Sequence, residues 1–188
     1  MGMPRIAGKD LAEILSKGPP QLALDTIAMS REMWRAGTLD LQLREMLRLK
    51  SAELARCAYA SRIRYAEPRE AGLTEEVIAQ IADPGRSALP ERDKLALQFA
   101  ELLITAPDAI TDAFYAEMRL HFSEPQMVEL TYFVMHCNVI HRFAVAMRLP
   151  PEDGDNIVVR RLGIPECERA NHKGTETQSR ERLGKAGE

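Results

Sequence analysis

The stretch LQLREMLRLKSAELARCAYASRIRYA, Leu41 to Ala66, decides how this chain is read. Asp40, just before it, has the short acceptor side chain of a helix N-cap. Leucine, methionine, glutamate, lysine, arginine and alanine fill the stretch, all strong helix formers. The reading is therefore a helix running to about Ala66, broken by Pro68 and Gly72. Near its end Cys57 is followed, three residues on, by Ala60, where a Cys-x-x-Cys redox motif needs its second sulfur. Without that sulfur the segment reads as an apolar helix with a cysteine packed into it.

Working outward, the pattern stays helical. A short helix spans Asp10 to Ser16 and stops at Gly18, Pro19 and Pro20. QLALDTIAMSREMWRA follows, with Leu24, Ile27 and Trp34 as expected buried positions and Gly37 as its end. Thr74 caps EEVIAQIAD, whose acidic first turn suits the helix dipole, and Pro84 and Gly85 close it. Leu95, Phe99 and Leu102 recur at helical spacing between Glu91 and Thr105. Thr111 opens a helix ending near Phe122. Ser123 and Gln126 form a capping box for the longest helix, Glu124 to about Arg148, which Pro150 and Pro151 stop. NIVVRRLGIP reads as extended, and the tail from Pro165 is polar. The expected fold is all-α, a single-domain bundle of about seven helices over 1–150 with an extended tail over 151–188.

At 188 residues the chain has room for one real core, and 45% apolar with 28% charged residues is an ordinary soluble composition. A net charge of −3 with dispersed cations gives no electrostatic footprint for nucleic acid. No apolar run reaches membrane-spanning length, and no signal-peptide core opens the sequence. Cysteines at 57, 137 and 167 have no framework spacing, so reduced thiols in a cytoplasmic protein are the expectation.

The order of these pieces resembles the carboxymuconolactone decarboxylase and alkyl hydroperoxidase D superfamily. The resemblance covers roughly Gln21 to Leu149. It rests on GTLDLQLREMLRLKSAELARCAYA, AGLTEEVI, LPERDKLALQFAELL and FSEPQMVELTYFVMHCNVIHRFAVAM. In the peroxidase branch the resemblance implies a Glu and, twelve residues later, a Cys-x-Tyr-Cys-x-x-x-His. Glu45, Cys57 and Tyr59 match; Ala60 and Arg64 stand where the second Cys and the His belong. Relatives form trimers and hexamers, so the resemblance implies a homo-oligomer.

The departures weaken dithiol chemistry. A peroxidatic thiolate needs a resolving thiol, and an arginine, with a pKa above about 12, does not shuttle protons near neutrality. A straight helix would also hold Glu45 and Cys57 roughly 18 Å apart, and Ala55 and Arg56 favour continued helix. Glu45 is equally readable as an i,i+3 partner of Arg48 on a solvated face.

Most of the remaining candidates lie on the longest helix. His136 shares a face with Glu129 and Tyr132 and is an acid-base candidate. Arg142, in IHRFA, and Arg64 are candidate carboxylate anchors, and Tyr59 joins them as a substrate-binding candidate. Cys137 and His141, at i,i+4, make half a metal site with no second pair of ligands. No cofactor is expected. Three readings stay open: a decarboxylase-like enzyme for a small carboxylate or lactone, with Glu45, Cys57 or His136 at its centre; a non-catalytic oligomer that binds a small ligand; and an alkyl hydroperoxidase-like thiol antioxidant.

Overall fold

The computed structural model describes residues 4–8, 10–151 and 156–159. Among these residues nine helices and two short strands are formed. A hairpin of α1 (Leu11–Leu15) and α2 (Pro20–Arg35) precedes α3 (Leu41–Leu54), the one-turn α4 (Ala58–Ser61), β1 (Ile63–Tyr65), α5 (Ala66–Glu70) and α6 (Glu75–Ile78). Then come α7 (Glu91–Thr105), α8 (Asp112–Met118), the long α9 (Glu124–Met147) and β2 (Ile157–Val159). The strands pair in parallel, Ile63 opposite Ile157 and Tyr65 opposite Val159. The all-α expectation holds, with that two-strand ribbon as its only sheet among the described residues. The tail from Pro165, and Cys167 with it, lies outside them.

Helix caps are present, among them those read from the sequence at Asp40, Thr74 and Ser123. Asp10, Asp40, Thr74, Thr111 and Ser123 each accept the backbone N–H three residues on, and Ser123 and Gln126 complete a capping box. The expected helix from Leu41 to Ala66 does not run through. It ends at Ala55 in a Schellman turn: the Cys57 N–H donates to the Ala52 carbonyl and the Arg56 N–H to that of Glu53. Arg56 takes the left-handed conformation that such a turn requires, φ 52°, without being glycine. Chain reversal here outweighs the small helical preference of Ala55 and Arg56.

α3 packs against both α7 and α9, which pack on each other. Its apolar side places Leu43, Met46 and Leu47 in the core. Its charged side chains Arg44, Glu45, Arg48 and Lys50 are buried too, and the three cations each fasten a neighbouring segment. Arg44 donates to the carbonyls of Trp34, Gly37 and Leu39 at the end of α2. Lys50 reaches the Ala82 carbonyl and Glu101 of α7. Arg48 donates to the carbonyls of Ala60 and Ile63, at 3.0 and 2.6 Å. Buried backbone acceptors need donors, and α3 supplies them sideways.

On α2, Trp34 is buried as expected, between the rings of Tyr65 and Phe133. Leu24 and Ile27 are not buried: they stand 60% and 41% exposed, Ile27 at the edge of a cavity.

Candidate functional site

A cavity of about 490 Å³ lies between the α1–α2 hairpin and the inner face of α9. The size is that of a small-molecule site. Leu11, Leu15, Ile27, Ile140 and Trp34 supply apolar wall, while Ser30, Arg31, His136, Cys137 and His141 supply polar groups. The helical repeat explains the grouping. Ile27, Ser30, Arg31 and Trp34 fall on one face of α2, while on α9 His136 and Ile140, and beside them Cys137 and His141, pair one turn apart.

His136 is half-buried, and its Nε2 lies 2.7 Å from the Ser30 hydroxyl. Burial lowers its pKa and keeps it neutral at pH 7. Glu129, expected beside it, instead accepts from the N–H groups of Thr38 and Leu39 and faces Arg44. His141 is deeper, with Nδ1 3.0 Å from Ser51 Oγ. Burial, with Arg48 nearby, lowers its pKa to about 3. Cys137 is free, and burial pushes its thiol up to about 12 despite the same arginine. Among the described residues no group of three or more His, Cys, Asp or Glu could hold a metal ion.

The other sequence candidates lie outside this cavity, except Tyr59. Tyr59 lines it, and its buried hydroxyl has no hydrogen-bond partner among the described residues. Glu45 is 1% exposed rather than solvated. It accepts from Arg48 Nε and Nη2, each at 2.7 Å, and from the Tyr65 N–H at 3.2 Å. The i,i+3 partner expected from the sequence is correct and its surroundings were not. Burial works against the Arg48 charge, but Glu45 outweighs it and the arginine is held firmly protonated.

Cys57 begins α4 as a free, buried thiol, and the backbone N–H groups of Ala60 and Tyr59 reach its sulfur. Burial outweighs those contacts and raises its pKa, opposite to what an activated thiolate needs. Arg64 is committed to Glu75 at 3.2 Å and to the Ser61 carbonyl. Arg142 donates to Asn138 on the surface of α9. Neither arginine lines the cavity. Ser30, Arg31 and Trp34, which do, lie more than a hundred residues from His136 in sequence, and no local pattern pairs them.

The helices arranged in this way around a cavity form the alkyl hydroperoxidase D-like fold, which solved structures share. The alkylhydroperoxidase AhpD core, a peroxidase-related protein from Ralstonia eutropha, superposes with a TM-score of 0.67 at 18% identity, covering 81% of this chain and 80% of that one. ATU0492 of Agrobacterium tumefaciens, a protein of unknown function, gives 0.65 at 21% identity over 74% of this chain and 96% of that one. In sequence, the uncharacterized protein Rv2313c of Mycobacterium tuberculosis is 31% identical over 114 residues, 60% of this chain. The match spans only 40% of that relative's length. No protein-family profile matches the chain.

Proposed function

We propose that the chain is a carboxymuconolactone decarboxylase-like protein that acts on a small carboxylate or lactone by acid-base chemistry at His136. The observation that carries this reading is the Ser30–His136 pair on the wall of a cavity of small-molecule size. Ser30 fixes the ring through Nε2, leaving Nδ1 to exchange a proton with a substrate carbon. A neutral imidazole is the form that accepts a proton at pH 7. The fold likeness supports the superfamily, and two solved structures of this fold are of peroxidase-related proteins. A thiol-peroxidase role has less behind it here: Cys57 is buried with a raised pKa, and Ala60 brings no second sulfur.

The test is a panel of small carboxylates and carboxylactones in D₂O, followed by NMR for CO₂ loss or deuterium incorporation. Wild type should turn over at least one of them, and His136→Gln should lower the rate by roughly 100-fold or more. Undiminished turnover in His136→Gln would overturn the reading.

The homo-oligomer belongs to the same proposal. Val128, Tyr132 and Val139 form a stripe on the outer face of α9 and are 69%, 57% and 61% exposed. Met29 of α2 adjoins it, its sulfur 3.9 Å from the Tyr132 hydroxyl. A helix apolar on more than one face suits burial on more than one side, so a second copy is the expected cover.

A further inference from the structure

We propose that Arg31 is the anchor that selects carboxylates in the cavity, so that the site prefers ring-bearing acids over neutral or cationic analogues. The inference rests on the reading of this cavity as the functional site and adds the residue that sets its ligand class. A carboxylate leaving water for a largely apolar cavity needs a cation or several donors in exchange. Arg31 is the only lysine or arginine on the cavity wall among the described residues.

The other cations near the site are occupied. Arg48 is bound to Glu45 and to two backbone carbonyls. Arg64 is bound to Glu75, and Arg142 to Asn138. Arg35, one turn beyond Arg31 on α2, is tied to Glu32 at 3.0 Å. Arg31 has no hydrogen bond or ion pair to any described residue. His136 and His141, both driven toward the neutral form by burial, leave the guanidinium as the positive charge on the wall.

Position follows from the helix. Arg31 is exposed whereas Trp34, about one turn on, is buried, so the charge sits toward solvent and the indole deeper. Ile27 lies between them in angle, and Ser30 flanks Trp34 on the other side of the same face. A ligand with its ring against Trp34, Ile27 and Ile140 and its carboxylate toward Arg31 would pass beside Ser30 and His136. Asp10 is the opposing charge on the wall, and its Oδ1 accepts the Glu13 N–H as the cap of α1. That carboxylate disfavours a second anionic group and gives a cationic ligand its alternative partner.

The chain carries a single tryptophan, Trp34, in the cavity wall, so its fluorescence reports occupancy directly. The probes are benzoate, benzamide and benzylamine, titrated into the full chain, with calorimetry as an independent readout. Benzoate should bind tightest. Arg31→Gln should weaken it by roughly 10-fold, with benzamide changing less than about twofold. Arg31→Lys, which keeps the charge and loses the planar fork, should fall between. Circular dichroism on each variant separates lost binding from lost fold.

Equal affinity of benzoate and benzamide, or benzoate binding unchanged in Arg31→Gln, would overturn the anchor while the cavity reading stood. Tightest binding by benzylamine would overturn it in favour of Asp10. No response to any probe at millimolar concentration would remove the cavity reading and the anchor together.

Discussion

Replacing Arg48 by Met should be among the most destabilising single changes in the chain. The substitution leaves the Glu45 carboxylate, 1% exposed, with the Tyr65 N–H as its remaining donor among the described residues, and takes the guanidinium from the Ala60 and Ile63 carbonyls, which keep the Arg62 N–H and Arg64 Nη1. Removing one partner of a buried ion pair costs about 3–5 kcal/mol. Each hydrogen bond lost from the Ala60 and Ile63 carbonyls adds about 0.5–1.5 kcal/mol, and these costs overlap, so about 4–6 kcal/mol in total is expected. The Arg48 stack on Tyr65, at 4.8 Å, is lost as well. The double variant Glu45→Leu with Arg48→Met removes the buried charges but still costs the Ala60 and Ile63 carbonyls one donor each and the Tyr65 N–H its Glu45 acceptor. It should be less damaged than Arg48→Met alone. Urea unfolding of the wild type, both single variants and the double variant measures the coupling. A loss below about 1 kcal/mol for Arg48→Met would show that α3 does not hold the α4–β1 segment in this way.

Arg56→Gly should raise stability by up to about 1 kcal/mol, read as a higher urea midpoint, since φ 52° costs an arginine more than a glycine. Acid should destabilise the fold through His141. Its pKa is about 3 when folded against 6.5 when free, so from pH 6.5 down to about 3 the unfolded chain takes up a proton that the folded chain refuses. Stability then falls by about 1.4 kcal/mol per pH unit from this residue. His141→Gln should flatten that slope in urea titrations between pH 6 and 4. Sedimentation at micromolar concentration should show more than one copy, and Val139→Glu, at a 61% exposed position on the α9 stripe, should shift it toward monomer.

The sequence made the helix starts legible because a cap is a local device: Asp40 or Ser123 and the residue three places on are enough to define it. The break after Ala55 was not legible. Helix propensities differ by tenths of a kcal/mol between ordinary residues, whereas the turn is fixed by distant contacts from Arg48 to Ala60 and Ile63. The same distance hid the burial of Glu45, whose spacing to Arg48 looks identical on a solvated face. Leu24 and Ile27 carry helical periodicity that tells which side is apolar but not whether this chain or a second copy covers it. The cavity draws Ser30 and His136 together from elements at opposite ends of the chain, so only the folded arrangement names them.

The most direct test of the central claim compares wild type, His136→Gln and Cys57→Ala on a turned-over carboxylactone and, separately, on peroxide with a dithiol reductant. The cavity account predicts lactone turnover that collapses in His136→Gln and persists in Cys57→Ala, with no Cys57-dependent peroxide turnover in any of the three. Lactone turnover unaffected by His136→Gln, or repeated peroxide turnover that vanishes in Cys57→Ala, would contradict it.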